Sequence, residues 1–490
     1  MIGWLTDFFR LAGGLLYWNG RKTAFRWRRQ PCPCQSPSDS GRAGETRCEA
    51  CPTWNQPWRF RRICPDLRQT PAGLCCGVDT ADVRPFWGRA LAYYATGGLA
   101  AYLLIVLAAF GLLRRIGYPV QLGDLTWPPA WHRIQESRAT YFLERGTHAL
   151  AAGNLREALF SLNIAYELNP DNYTAGLTLA RLCQTGQPAF SDQIYEQLLQ
   201  RHPAQAPQTA QAWLRALLAR GAFSQLQTLA YQRVLADPAT AAPWLHALIF
   251  AGRQRHDPTP IQRLLETPTG QPWRALLETE LLWLAGRQAD VTPRLLQAWT
   301  PAHPYCVRYQ ADLLLALHQP TAAVERLASA PRLPNSEQVR IFLAACATGG
   351  ARDRLRREVG NLLGATPTAP AVDLLATHLI RYPDADLLAL VVDRVTATPL
   401  PPTDDAFIAY TALFCAAGVG HDAPRQRQLA DLLKQRAGST FAAIDTAQEF
   451  FARREHPQGI GGILVALMLS LDTTYALHER YPLAMSPARP

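Results

Sequence analysis

The sequence lacks the local signatures of the common catalytic sites. Its 490 residues hold no HExxH zinc motif, no GxxxxGK(S/T) phosphate loop, no GxSxG nucleophile elbow and no GxGxxG after a strand pattern. His132 has an acidic residue four positions later, Glu136, but a lone pair of this kind is typical of a polar helix surface. These absences favour a binding protein over an enzyme.

Lysine is also scarce, since Lys22 and Lys434 are the only lysines among 49 basic residues. Together with abundant Ala, Leu, Arg and Pro, this bias is typical of a GC-rich bacterial genome. Residues 1–136 hold 17 basic and 9 acidic residues (+8), whereas residues 137–490 hold 32 and 30 (+2). A basic excess confined to one end favours a membrane surface there, and no nucleic-acid partner is expected.

One uncharged run of 24 residues, 90–113, lies between Arg89 and Arg114. As a helix it would extend about 36 Å, enough to cross a hydrocarbon core of about 30 Å. The sequence therefore predicts a single transmembrane helix over 86–116. The Pro- and Trp-rich stretch 117–136 is interpreted as a linker.

The first 30 residues predict an interfacial segment. Apolar residues at helical spacing lie on one face of residues 2–18, and Asp7 and Arg10 can pair on the other. No basic region precedes this run, so it does not resemble a secretory signal peptide. The basic, aromatic stretch 21–29 suits anionic lipid headgroups, with single-stranded bases as the weaker alternative. A short helix packed on the neighbouring cysteine-rich module is the other interpretation of residues 2–18.

Seven of the 11 cysteines lie in a predicted module over residues 31–85. A C-x-C pair and a C-x-x-C pair, separated by thirteen residues, can provide four thiolate ligands for one tetrahedral Zn²⁺. Metal binding would stabilise the fold of this segment, which has no hydrophobic core of its own. Disulfides, free thiols and an iron–sulfur centre are the alternatives. The predicted ligands of one structural zinc are Cys32, Cys34, Cys48 and Cys51, with Cys64, Cys75 and Cys76 as alternative ligands.

The charge distribution also predicts topology. Residues 1–89 carry 14 basic and 7 acidic residues and no export signal, so the positive-inside rule puts the N-terminus in the cytoplasm. A reducing cytoplasm also suits a thiolate site. Against this, Arg114 and Arg115 directly after the apolar run make the charge bias near the membrane small, and the four single cysteines farther on would suit a reducing compartment. The prediction is a single-pass protein of the bacterial inner membrane with a periplasmic C-terminal part.

Residues 137–482 contain a repeat of about 33 residues. Prolines recur at steps of 33, 35, 30, 33, 33, 33 and 32, with glycines midway between many of them. A unit split by glycine and ended by proline is typical of the helix–turn–helix repeats of an α-solenoid. The prolines are Pro170, Pro203, Pro238, Pro268, Pro301, Pro334, Pro367 and Pro399, and the glycines are Gly153, Gly186, Gly221, Gly252, Gly286 and Gly349.

The first unit, residues 139–170, resembles a tetratricopeptide (TPR) repeat. Small residues stand where its two helices would cross, a glycine lies in the turn between them, and a proline ends the unit. The resemblance is close over 137–238 and is limited to period and hydrophobic pattern over 239–482. In the first unit it is carried by Gly146, Gly153, Ala158, Leu162, Ala165 and Pro170.

This resemblance implies an all-α fold, in which an α-solenoid of TPR-like helix pairs follows the transmembrane helix. It also implies protein binding on the concave surface formed by the first helix of each pair. The apolar stretch 459–471 is too short to span a membrane and is predicted to seal the end of the solenoid as a buried helix, before a tail at 483–490. Helix phase selects as candidates for partner binding Tyr141, Arg145, His148, Asn172, Thr178, Arg181 and Gln184.

The sequence is therefore interpreted as a non-enzymatic, membrane-anchored scaffold or adaptor. The resemblance to membrane-anchored TPR proteins implies a role in cell-envelope assembly or secretion. The alternative is a cytoplasmic-side regulatory adaptor whose cysteine module senses metal or redox state. A metal-dependent enzyme is disfavoured, because catalytic zinc usually keeps a water beside three mostly His or carboxylate ligands.

Overall fold

Chain contacts divide the protein into two compact units, Met1–Arg145 and Gly146–Pro490. The predicted interfacial segment, most of the cysteine-rich module and the tail lie outside the residues that the structure describes. The computed structural model describes residues 87–299, 303–328, 333–437, 442–453, 455–456 and 459–482, together with residues 67–71 and 73–76 and a few positions between residues 13 and 28.

The described part of the cysteine-rich module is an antiparallel hairpin. Strand β1 (Leu67–Thr70) pairs with β2 (Gly73–Cys76) in a register that places Leu67 opposite Cys76. Cys75 and Cys76 therefore follow each other on one strand. The other five predicted zinc ligands lie outside the described residues, so the zinc site stays a prediction.

A 30-residue helix, α1 (Trp87–Ile116), begins the helical part of the chain. Its segment Ala95–Ile116 has a mean hydropathy of 2.1 and is long and apolar enough to cross a membrane, and 6% of it is buried. Its apolar surface is therefore largely uncovered. The exposed large apolar side chains on α1 include Leu99, Leu103, Leu104, Ile105, Leu107 and Leu112.

The stretch after α1 folds back against it. The chain reverses at Gly117, whose φ of +103° is a conformation that favours glycine. Helix α2 (Leu122–Thr126) then lies beside α1, and the Tyr102 hydroxyl donates to the Thr126 carbonyl oxygen at 2.6 Å. Val120 between the two helices is fully buried. The predicted linker thus begins with a folded turn on the apolar helix.

Nine consecutive helix pairs follow between His132 and Ala437, and each helix after the first pair packs on its neighbours in sequence, as in an α-solenoid. The first helices of the second and third pairs begin three residues after Pro170 and Pro203, so the predicted period is found in the structure. The pairs are α3 (His132–Ala151) and α4 (Leu155–Leu168), α5 (Tyr173–Cys183) and α6 (Pro188–Arg201), α7 (Ala206–Arg220) and α8 (Phe223–Ala236), α9 (Ala241–Arg255) and α10 (Thr259–Leu265), α11 (Arg274–Leu284) and α12 (Gln288–Leu296), α13 (Pro304–Ala316) and α14 (Pro320–Ala328), α15 (Asn335–Thr348) and α16 (Arg352–Leu363), α17 (Ala369–Arg381) and α18 (Ala385–Ala397), and α19 (Asp404–Val419) and α20 (Ala423–Ala437).

Small residues allow close helix packing in the best-matched units. A Cβ on Gly146 would lie 2.8 Å from Cγ of Leu162, which is closer than real atoms approach. Gly146 is therefore required at this crossing, as predicted. Ala158, Ala165 and Leu162 on α4 are fully buried, and Tyr195 is fully buried in the next pair.

The turns inside the pairs often hold one residue in the left-handed conformation. Glycine suits this position because it has no Cβ, whereas other residues lose about 1–2 kcal/mol there. Gly252, predicted as a turn glycine, lies inside α9, and His256 takes the turn position instead. The left-handed turn residues are Gly153, Gly221, Gly286 and Gly350 in four pairs, and His256, His318 and His421 in three others.

The C-terminal segment differs from its predicted form. Gly459–Gly462 and Leu464–Met468 form 3-10 turns instead of an α-helix. Glycine is needed there, because a Cβ on Gly461 would overlap the carbonyl oxygen of Arg220. After helix α21 (Ala442–Ala452) and these turns comes α22 (Leu471–Arg480), which packs on α7 and α17, far apart in the chain. The prediction of one buried helix that seals the end of the solenoid is wrong.

Candidate partner-binding site

The first helices of several pairs face a common side of the stack. Side chains or backbone groups of α7, α9, α13 and α17 all contact α22, although one of these contacts joins residues 260 positions apart. We call this common side the inner surface. A solenoid binds extended partners through such a surface, so it is the candidate functional site.

An aromatic cluster fixes α22 to α7 and α9. The Tyr475 ring lies edge-on to Phe250 and to His246, each with a centroid distance of 4.6 Å. Nε2 of His478 lies 2.6 Å from the Leu218 carbonyl oxygen. Tyr475 is 3% exposed and His478 is fully buried, so α22 is part of the folded core of the inner surface.

Hydroxyl groups and one ion pair fix the other side of α22 to α17. The Thr473 and Thr377 hydroxyls lie 2.7 Å apart, and the Thr473 hydroxyl donates to an Asp373 carboxylate oxygen at 3.2 Å. Near the end of α22, Nε of Arg381 lies 2.8 Å from the Glu479 carboxylate. These contacts satisfy polar groups that α22 would otherwise bury without partners.

A buried charge pair lies deeper on the same surface, between α9 and α11. Arg253 donates two hydrogen bonds to Glu280, at 2.8 and 2.6 Å, and the Glu280 side chain is fully buried. The Tyr309 hydroxyl donates to the same carboxylate at 2.7 Å. Burial would lower the pKa of Arg253, but the Glu280 charge outweighs it and raises that pKa above its ordinary value. Glu280 therefore joins three helices through one carboxylate.

A second network joins α13, α15 and α22. Glu337 accepts from Arg308 at 2.7 Å and from Arg340 at 2.8 Å, and Arg308 also reaches Asp472 of α22 at 3.5 Å. Asp312 accepts from Arg340 at 2.9 Å. Burial would raise the pKa of Asp312, but Arg340, Arg308 and Arg381 outweigh it and hold that pKa below its ordinary value.

Two histidines of this surface are held neutral at pH 7. Burial lowers the pKa of His378 on α17 and of His478 on α22 to about 4 each. His378 is 4% exposed and His478 fully buried, so protonating either would place a charge in a region with little water.

Three of the seven candidates for partner binding are exposed: Arg145 and His148 on α3 and Arg181 on α5. Thr178 on α5 is half-buried. Tyr141 is also half-buried and lies edge-on to Tyr118 with a centroid distance of 5.1 Å. The exposed side chains are the ones that a partner can reach without rearrangement of the fold.

Two candidates have contacts within the fold that explain their presence. The Asn172 side chain accepts from the Ala175 backbone N–H at 3.0 Å and so caps the start of α5. Gln184 is buried, and its amide donates to the Tyr195 hydroxyl at 3.0 Å. Partner binding by any of the seven stays a prediction.

Sequence patterns did not indicate the arginine and carboxylate networks. Their residues are not spaced at the repeat period, and they lie in first helices of the pairs and in α22. One signal was available: the same Arg-Tyr dipeptide stands at Arg308-Tyr309 inside α13 and at Arg381-Tyr382 at the end of α17. A charged residue inside an apolar helix face calls for a buried partner.

Among the described residues, no group of three His, Cys, Asp or Glu side chains is placed to hold a metal ion. Compared with known proteins, the chain matches no protein-family model, no curated protein and no solved structure. Function is therefore inferred from the inner surface and from α1.

Proposed function

We propose that this protein is a membrane-anchored, TPR-like scaffold that binds partner proteins through the inner surface of its first helix pairs. The observation that carries the proposal is the binding of α22 on the inner surface of the later pairs. Aromatic, hydroxyl and ion-pair contacts hold it there, and grooves bind partner helices with the same chemistry. The first pairs precede this filled region and carry exposed His148 and Arg181.

In this proposal α1 is the membrane anchor, the N-terminus is cytoplasmic, and the solenoid is periplasmic and serves cell-envelope assembly or secretion. The four single cysteines are compatible with an oxidising compartment, because Cys183, Cys306, Cys346 and Cys415 are all buried. Burial raises the pKa of the Cys306 thiol to about 11, so little of the reactive thiolate forms there.

Partner binding is tested by site-specific photocrosslinking in cells. A photoreactive amino acid is placed at His148 or Arg181, and at Arg156 or Phe160 on α4 as exposed controls. We expect a discrete crosslinked product at the first two positions and none at the controls. No product at His148 and Arg181, or equal products at all four, would contradict partner binding on the inner surface.

The proposed topology is tested by fusing alkaline phosphatase, which is active only in the periplasm, after Pro490. Activity is expected if the solenoid is periplasmic. An inactive fusion, with a cytoplasmic reporter active in its place, would place the solenoid in the cytosol and replace the envelope role by a cytosolic adaptor.

A further inference from the structure

The long uncharged run of helix α1 is apolar on every side, and the described chain covers it on one side only. The chain after α1 turns back at Gly117 and lies along the second half of the helix, and we call residues 117–131 the fold-back segment. Val106 of α1 and Val120 and Leu125 of the fold-back segment are at most 8% exposed. A helix without a polar face is typical of a membrane span, whereas a helix that lies in the membrane surface has a polar side.

The fold-back segment reaches the middle of α1. The Tyr102 hydroxyl donates to the Thr126 carbonyl oxygen at 2.6 Å. The Trp131 indole donates to the neighbouring Leu125 carbonyl oxygen at 3.2 Å. Tyr102 is at the centre of the uncharged run 90–113 and lies 14 residues, or about 21 Å, before the end of α1. If α1 crossed a bilayer in this arrangement, the end of the fold-back segment would lie near the bilayer centre.

Charged side chains exclude this region from the centre of a bilayer. Asp124 lies within the fold-back segment, and its ion-pair partner Arg133, 3.7 Å away, is two residues beyond Trp131. The Arg133 side chain is 61% exposed, and Glu136 in the next turn is also exposed. Pro128–Ala130 form a 3-10 turn whose two prolines are exposed. The hydrocarbon core excludes irregular backbone that faces lipid, and an exposed charge there is costly.

Contact between the fold-back segment and α1 is therefore incompatible with passage of α1 through a bilayer. We propose that the fold-back segment is a releasable cover: it packs on α1 outside the membrane, as in this structure, and swings away when α1 inserts. The inference rests on the proposed role of α1 as a membrane anchor and adds a change of conformation to that role.

The residues of the fold-back segment suit both positions. Gly117, with φ of +103°, lies at the pivot and can adopt backbone conformations that other residues rarely reach. Trp127 and Trp131 are 66% and 53% exposed while the segment packs on α1. Tryptophan is enriched where a bilayer meets water, so release would move both rings to the headgroup region near Arg114 and Arg115.

The test is photocrosslinking from position 102 before and after membrane insertion. A benzophenone amino acid replaces Tyr102 in the full chain, which is made by cell-free synthesis without membranes. The sample is illuminated before or after addition of liposomes of phosphatidylethanolamine and phosphatidylglycerol, and mass spectrometry identifies the product. Before liposomes are added, we expect attachment within residues 120–131. Afterwards we expect loss of this internal product and attachment to lipid acyl chains.

A control position and a variant assign the result to the fold-back segment. Leu104 is about 200° around the helix from Tyr102 and is 68% exposed. The same probe at Leu104 should never attach to the fold-back segment and should attach to lipid once liposomes are present. Val120→Asp places a charge at a fully buried contact with α1. It should abolish the internal product of the Tyr102 probe and leave lipid attachment intact.

Internal attachment of the Tyr102 probe that persists in liposomes would overturn this proposal. Combined with an active alkaline phosphatase fusion, it would mean that the fold-back segment enters the bilayer with α1. Combined with an inactive fusion, it would mean that α1 lies in the membrane surface.

Two other results would also contradict the proposal, and they separate it from the anchor role. Absence of the internal product before liposomes are added would mean that the fold-back segment does not cover α1, while lipid attachment at Leu104 would leave the anchor role intact. Absence of lipid attachment at both Tyr102 and Leu104 would mean that α1 is not a membrane anchor, and the proposed function would fail with it.

Discussion

The first two helix pairs and the pairs from α7 onward share one repeat period but differ in what covers their first helices. In the first pairs, the first helices carry exposed His148 and Arg181. From α7 to α17 the inner surface holds α22, and its arginines pair with carboxylates such as the fully buried Glu280. The period therefore determines how the helices stack, whereas contacts between distant residues determine what the inner surface can bind.

We expect the largest change in stability when a buried charge of the later pairs is removed. Glu280→Ala leaves Arg253 and the Tyr309 hydroxyl without their partner, so we expect a loss of about 4 kcal/mol in the free energy of unfolding. Arg181→Ala, an exposed change in the first pairs, should cost less than about 0.5 kcal/mol. Urea denaturation midpoints measure both. Equal losses would mean that the two surfaces do not differ in burial.

Removing an aromatic ring from α22 tests whether this helix belongs to the core. Tyr475 is 3% exposed, and Tyr475→Ala should cost about 3 kcal/mol because it removes a buried ring and leaves a cavity. Phe160→Ala on α4, where the ring is 65% exposed, is the matched control and should cost about 0.5 kcal/mol. A loss below 1 kcal/mol for Tyr475→Ala, measured by urea denaturation, would show that α22 is only loosely attached.

The buried histidines make the later pairs sensitive to acid. The folded pKa values of His378 and His478, about 4 each, lie below the unfolded value, so the unfolded chain binds more protons between pH 6.5 and 4. Stability is complete above that window and falls as the pH falls through it. We expect a loss of about 2 kcal/mol for each histidine between pH 7 and pH 5.

Urea midpoints at the two pH values measure this loss. His478→Gln keeps an N–H donor for the Leu218 carbonyl and should remove about half of the pH dependence. Stability that is unchanged between pH 7 and pH 5 would mean that water reaches both imidazoles in the folded protein.

The smallest expected effect concerns the turns inside the pairs. Gly153 in the first pair and His318 in the sixth have φ of +76° and +58°. His318→Gly should stabilise the protein by up to about 1 kcal/mol relative to His318→Ala, because only glycine adopts this conformation without strain. Gly153→Ala should cost about the same amount, since no atom lies near the added Cβ. Equal thermal stabilities of the two His318 variants would show that this turn is unstrained.

The stack of helices could be predicted because its signals are local. Proline and glycine punctuation and the 3.6-residue hydrophobic pattern act within one unit, so the period, the apolar helix α1 and the crossing at Gly146 were all visible in the sequence. Turn histidines such as His256 were not visible, because packing of the two helices imposes the left-handed conformation on a residue that seldom adopts it.

The inner surface of the later pairs could not be predicted, because its contacts connect residues far apart in the chain. Nothing near His478 indicates that Leu218 will accept its hydrogen bond across 260 residues. The 3-10 turns before α22 place Gly461 close to the Arg220 backbone, which is also a long-range contact. Of the seven candidates for partner binding, helix phase could not separate exposed Arg181 from buried Gln184.

Hydrogen–deuterium exchange on the full chain tests most directly whether α22 is a fixed part of the inner surface. We expect the backbone amides of α22 to be protected as strongly as those of α7 and α17, because all three would open only when this unit unfolds. Fast exchange throughout α22, with slow exchange in α7 and α17, would contradict this. The inner surface would then be open along its whole length, and the first helix pairs would no longer be distinguished as the place where a partner binds.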